Sequence, residues 1–246
     1  MKAAPEAQKR LLDLAQLDSV LDRLAHRRRT LPELAEIEER STKLARLATE
    51  VIAAQTEASD LAREQTKAES DVEAVRVRAD RDRRRLDSGQ VSSPKDLANL
   101  QSELVSLHRR QGDLEDVVLE IMERREAADA TVTRLSAERT EITAGLATIE
   151  EKRDAAFGDL DKESGDTQAK RVSLAAEIPA DLLALYEKLR AQYGIGAAML
   201  QGGRCQGCKV SLSIADVNRI RAAAPDEVIR CDECRRILVR TPESGL

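Results

Sequence analysis

The sequence predicts a mainly α protein, a long antiparallel coiled-coil hairpin followed by a small cysteine-bearing C-terminal domain. Three observations point there. The composition is that of long helices, two heptad-patterned arms of matched length flank a single turn, and all four cysteines fall in two Cys-x-x-Cys pairs between residues 205 and 234.

Aromatic residues make up 1% of the 246-residue chain and charged residues 35%, with no Trp, so a broad globular core is excluded. Ala, Leu, Arg and Glu dominate, as expected where a narrow apolar seam runs along helices. The net charge of −5 mixes blocks of both signs and by itself indicates neither nucleic acid nor membrane. No stretch approaches the roughly 18 apolar residues of a membrane span, and MKAAPEAQKRLLDLAQ lacks the apolar core of a signal peptide. A soluble, cytoplasmic protein is expected.

From Leu97 to Leu160 apolar residues recur at alternating spacings of three and four, interrupted only by Gln111, Arg125, Arg139 and Arg153. That is about nine heptads of coiled-coil seam. The same rhythm runs from Leu44 to Leu86 through Val51, Leu61, Gln65, Val72 and Asp82. An earlier stretch, Leu14, Leu17, Leu21, Leu24 and Leu31, changes phase around Pro32, where a kink or break is expected. Between the arms lies SGQVSSP, in which Gly89 suits a helix end, Ser93 a cap and Pro94 a first helical position. The arms, Glu6 to Asp87 and Lys95 to Ala176, are about 82 residues each, roughly 120 Å at 1.5 Å per residue. Equal arms and a short turn favour pairing within one chain over pairing only between chains. Residues 1–177 are therefore read as the hairpin, with its tip at 88–94.

Residues 178–246 form the second domain. ADLLALYEKLRAQY, residues 180–193, reads as an amphipathic linking helix whose Tyr186 and Tyr193 belong to a small core. Cys205, Cys208, Cys231 and Cys234 follow, the two pairs separated by 22 residues. Each pair sits in a tight knuckle that aims two sulfurs at one point, and two knuckles complete a tetrahedral thiolate site. In a reducing compartment such a cluster is better read as Zn2+ ligands than as disulfides, and two separated pairs weigh against a redox dithiol. A catalytic zinc needs an open position, whereas here all four are thiolates, so the ion is structural. His26 and His108 lie far off in sequence and are read as solvated. Between the pairs, SLSIADVNRIRAAA suits a short helix capped by Ser211 or Ser213.

The chain offers no nucleophile triad, phosphate-binding glycine loop or catalytic carboxylate pair, so it is not read as an enzyme and no small-molecule substrate is expected. Two arginine-rich regions are the candidate surfaces. One is the tip, with Arg83, Arg84, Arg85, Pro94 and Lys95; the other is the cysteine domain, with Arg204, Lys209, Arg219, Arg221, Arg235 and Arg236. Arginine forks suit phosphate or acidic protein surfaces, although the same residues can be solvated faces held by local ion pairs. With so few aromatics, any RNA or DNA binding would be directed to the backbone and sensitive to salt.

SSPKDLANLQSEL (92–104), IPADLLALYEKLR (178–190) and the CQGC and CDEC knuckles together resemble a bacterial family, the C4-type zinc-ribbon proteins with a long N-terminal coiled-coil hairpin. The resemblance covers nearly the whole chain. It implies a non-enzymatic adaptor or chaperone-like regulator, since members are described as binding an alternative sigma factor or RNA polymerase, flagellar or secretion components, or messenger RNA. This chain departs from the family in having Arg235 where glycine usually follows the last cysteine, and Asp232 in place of a common proline. The fold class is thus a long antiparallel coiled-coil hairpin with a small C-terminal zinc-ribbon domain. The expected function is adaptor binding to a protein or nucleic-acid partner. The alternatives are a transcription factor that inserts its tip into RNA polymerase, and a purely structural spacer.

Overall fold

The computed structural model describes residues 1–246, and no helix in it is long and apolar enough to cross a membrane. Helix α1 spans Pro5–Arg29, α2 Pro32–Asp87, α3 Pro94–Ala176 and α4 Ala180–Tyr193. The remainder is strand β1 (Ala197–Gln201), β2 (Arg204–Cys205), helix α5 (Ile214–Ala222), β3 (Ile229–Arg230) and β4 (Ile237–Val239), closed by a 3-10 turn at Pro242–Ser244. The phase change near Pro32 is a true break between α1 and α2, because proline disfavours helical backbone in the residue before it. The chain divides into two compact units, Ala35–Glu150 and the pair of segments Met1–Leu34 with Glu151–Leu246.

The first unit is the hairpin. Leu47, Val51 and Ala54 of α2 pack on Leu135 of α3, flanked by Val132 and Ile142. Cross-helix pairs Lys43–Glu138 (2.8 Å), Glu64–Arg124 (4.0 Å) and Arg78–Glu103 run in opposite directions along the two helices, so the arms pair antiparallel within the chain. The polar seam positions Gln65 and Arg125 meet as a rung, with Arg125 Nη1 donating to Gln65 Oε1 at 3.1 Å. At the turn Gly89 adopts φ 66°, a backbone that favours glycine. Pro94 takes the first helical position, and Ser93 contributes its backbone carbonyl to the Leu97 N–H at 3.0 Å. The seam is thin near the turn, where Leu97 is 37% exposed, and α3 first buries a seam leucine at Leu107.

The second unit is built on a sheet of order β2-β1-β4-β3, in which β1 and β4 are parallel and both outer pairings antiparallel. Side chains alternate across a strand, and here both faces are covered. Ala197, Ile237 and Val239 join Leu11 and Leu14 of α1 and Leu182, Tyr186 and Leu189 of α4 in one core. Ala198, Leu200 and Leu238 face the other way, onto Ile220 and the cysteines. The central strands are thus one wall shared by a helical core and a cysteine core. Gly196 lets Tyr186 lie against the start of β1, since a Cβ there would stand 2.5 Å from the Tyr186 carbonyl oxygen.

The N-terminus is sewn into this unit. Ala3 N–H donates to Asp226 O at 2.7 Å and Val228 N–H to Met1 O at 3.1 Å, while buried Gln8 donates from Nε2 to Ala3 O at 2.8 Å. Beneath α4, Asp18 is 1% exposed. It accepts from Arg171 Nε (2.5 Å) and the Tyr186 hydroxyl (2.5 Å), and Arg190 Nε lies 2.9 Å away as an ion pair out of line for a hydrogen bond. Arg171 also donates to Glu187 at 2.6 Å. The bond to Asp18 holds the Arg171 guanidinium above its usual pKa, and burial together with the same carboxylate raises that of Tyr186.

Candidate metal centre

The sequences Arg204-Cys-Gln-Gly-Cys-Lys209 and Arg230-Cys-Asp-Glu-Cys-Arg235 fold alike. In each knuckle the residue after the second cysteine donates its N–H to the carbonyl of the first, Lys209 to Cys205 and Arg235 to Cys231, both at 2.8 Å. The first cysteine in turn donates to the residue two beyond the second, Cys205 to Val210 (3.0 Å) and Cys231 to Arg236 (2.9 Å). The leading arginine closes the loop: Arg204 Nε donates to Lys209 O, and Arg230 Nε to Arg235 O at 2.8 Å.

These turns bring the four sulfurs within 4.8 Å of one another. Cys205 to Cys234 measures 3.8 Å and Cys208 to Cys231 3.9 Å. A tetrahedron with metal–sulfur bonds of about 2.3 Å has edges of about 3.8 Å, whereas a disulfide needs about 2.05 Å. The donors fit Zn2+, and this is a C4 zinc site. Cys205 and Cys231 are buried and Cys208 and Cys234 half-buried. N–H groups of Gly207 and Cys208 point at the Cys205 sulfur, and those of Glu233 and Cys234 at Cys231.

Burial pushes the metal-free thiols of Cys205 and Cys231 up, that of Cys231 to about 12. At Cys234 burial acts the same way, but the Arg236 N–H, the Cys231 and Cys208 thiols and the Arg236 side chain outweigh it and the thiol falls below its usual value. At neutral pH Cys205 and Cys231 carry protons that zinc must displace whether the metal-free ribbon is folded or open, since an unperturbed thiol at about 8.5 is also protonated there. Affinity should therefore rise with pH and fall in acid. Calorimetric titration with Zn2+ in buffers of different ionisation enthalpy is expected to show release of about two or more protons per ion. Release of none would show the thiolates to be preformed.

Around the site the other cations divide. Arg236 donates to Ile195 O (3.0 Å) and Tyr193 O (2.8 Å), tying the second knuckle to the end of α4. Arg240 donates to the carbonyls of Ala223, Ala224, Pro225 and Glu227 beyond α5. Arg219 pairs with Asp216 at 3.0 Å and with Asp232, so the aspartate in the CDEC knuckle anchors α5. Ser213, one of the two expected caps, accepts from Asp216 N–H at 3.1 Å. Of the six cations expected to meet a partner, Arg204, Arg219 and Arg236 are thus held by internal bonds. Lys209, Arg221 and Arg235 are exposed, with Lys209 Nζ reaching only Gln206 Oε1 (2.7 Å). Tyr186 is fully buried and Tyr193 packs beside it, as a junction core requires. Replacing Arg230 with alanine frees the Arg235 carbonyl, and zinc transfer to a chromophoric chelator should speed up by about tenfold, in line with loss of an outer-shell support. An unchanged rate would mean that the clamp does not hold the knuckle.

A family model described as the CT398-like coiled coil hairpin domain matches residues 14–194, and one described as a C4-type zinc ribbon domain matches residues 204–238. The chain belongs to the CT398-like coiled-coil hairpin family. Protein Rv2229c of Mycobacterium tuberculosis is 40% identical over 240 residues, covering 98% of each chain. ML1638 of Mycobacterium leprae is 32% identical over 89% of this chain and 94% of its own. Among solved structures, a Mycobacterium smegmatis protein superposes with a TM-score of 0.86 at 37% identity, over 98% of this chain and 100% of that one. CT398 of Chlamydia trachomatis gives 0.71 at 17% identity, over 96% and 98%, a likeness of fold. Coiled-coil hairpins and zinc ribbons of this kind are generally structural or binding modules.

Proposed function

We propose that this protein is a zinc-ribbon adaptor that presents Lys209, Arg221 and Arg235 to an oxyanion-bearing partner, an acidic protein surface or a nucleic-acid backbone. One observation carries the reading. Lys209 and Arg235 adopt φ 64° and 62°, a left-handed backbone that costs a residue with a Cβ about 1 kcal/mol or more. Glycine would relieve both positions, yet each holds an exposed cation directly after a zinc ligand. Strain kept at two equivalent positions for the same kind of side chain is what a binding surface would require. The metal makes the knuckles rigid, so the cations are held at fixed spacing and a partner loses less freedom in meeting them.

The test separates binding from folding. Glycine at 209 and 235 should leave the ribbon as stable as before or more so, while weakening salt-sensitive binding to polyuridylate or to polyglutamate by about tenfold. If Lys209→Gly, Arg221→Ala and Arg235→Gly together leave both affinities unchanged, the ribbon is not the binding face. Recovery of partners by the intact chain, compared with a Cys205→Ser, Cys208→Ser variant, would then show whether any association depends on zinc.

A further inference from the structure

At the turn of the hairpin, the last turns of α2 carry a surface with a different chemistry. Val77, Asp80, Arg81, Arg84, Arg85 and Ser88 fall at helical spacings of three and four on one stripe, and Gln90 of the turn closes it into a groove of about 510 Å³. Val77, one of its lining residues, is 57% exposed. Neighbouring cations are neutralised locally, Arg76 by Glu73, Arg78 by Glu103 and Arg81 by Asp82. Arg83, Arg84 and Arg85 have no carboxylate within ion-pairing distance, and all three are exposed. Of the tip residues singled out from the sequence, Arg84 and Arg85 line the groove, while Arg83, Pro94 and Lys95 do not.

We propose that this groove is a docking site for an acidic segment of a partner protein, bound by Arg84 and Arg85 with an apolar side chain seated on Val77. It goes beyond the ribbon reading and does not depend on it. Charge complementarity selects the occupant. Two unpaired guanidinium forks match carboxylates, and the exposed valine two helical turns before them offers an apolar contact that a phosphate backbone does not use. Asp80 on the rim and Asp87 nearby confine the free positive charge of the groove to Arg84 and Arg85, which suits one or two carboxylates and falls short of the extended field that a phosphate backbone needs. No aromatic residue lies at the tip to stack a base.

The test uses the full-length zinc-loaded chain and two fluorescent probes, a 12-residue peptide of glutamates with two central leucines and a polyuridylate 12-mer. Binding of the peptide should weaken by about tenfold in Arg84→Glu, Arg85→Glu, and return for a peptide in which lysines replace the glutamates. Val77→Ser or leucine-to-serine peptides should also weaken it, while Lys209→Gly, Arg221→Ala, Arg235→Gly should leave it unchanged. Far-ultraviolet circular dichroism establishes that each variant keeps its helices. Equal affinity of the wild type and the charge-reversed chain overturns the proposal. So does tighter binding of polyuridylate than of the peptide, lost on the same reversal but indifferent to Val77, which would make the groove a phosphate site.

Discussion

Asp18→Ala is expected to destabilise the unit formed by Met1–Leu34 and Glu151–Leu246 by about 3–5 kcal/mol, the range for removing one partner of a buried ion pair. The carboxylate is 1% exposed, and its removal strands Arg171, Arg190 and the Tyr186 hydroxyl, whose side chains come from α3 and α4. Arg171 and Arg190 side chains are only 13% and 26% exposed, so water cannot fully replace the lost partner. Glu187 and Asp22 each hold one of the guanidinium groups from the outside and will soften the loss. Tyr186→Phe removes one hydrogen bond and should cost about 1 kcal/mol. Urea unfolding followed by tyrosine fluorescence reads this unit selectively, because there is no Trp and both tyrosines lie in its core. A loss below about 1 kcal/mol for Asp18→Ala would mean that the network is solvated rather than structural.

Removing zinc is expected to have a larger and wider effect than loss of the ribbon alone. The cysteine core has few apolar side chains beyond Ala198, Leu200, Ile220 and Leu238, too few to fold so small a module without its metal. The strands that carry Leu200 and Leu238 also carry Ala197, Ile237 and Val239, one wall of the core containing α1 and α4. Chelation should therefore disorder residues 197–246 and loosen the packing of Tyr186, seen as changed tyrosine fluorescence and faster amide exchange in α1 and α4. Helices within Ala35–Glu150 should keep their protection, since that unit's apolar cluster contains none of these residues. Unchanged exchange in α1 and α4 after chelation would show the sheet to be no shared wall.

Much of this was legible in the sequence because it rests on local spacing. Heptad rhythm marks the α2 and α3 seam, Pro32 and Gly89 punctuate the helices, and Cys-x-x-Cys pairs announce thiolate coordination whatever surrounds them. What escaped depends on contacts between distant residues. Asp18 on α1 looks like any other helix-surface acid until α3 and α4 bring Arg171, Tyr186 and Arg190 to it. Met1 and Ala3 give no hint that they pair with residues 226–228. A charge count cannot tell Arg240, which gathers the carbonyls after α5, from Arg221, which is exposed. The sequence does carry one signal of these supports: each knuckle is preceded by arginine and followed by a cation, a repeat that marks the paired clamps.

The ribbon requires that zinc be held by four thiolates in a closed site, with no position left open to water. X-ray absorption at the zinc edge of the full-length chain measures it directly. One zinc per chain with four sulfur neighbours at about 2.3 Å is the predicted result. A nitrogen or oxygen neighbour, or fewer than four sulfurs, would mean an open coordination position and contradict a purely structural ion.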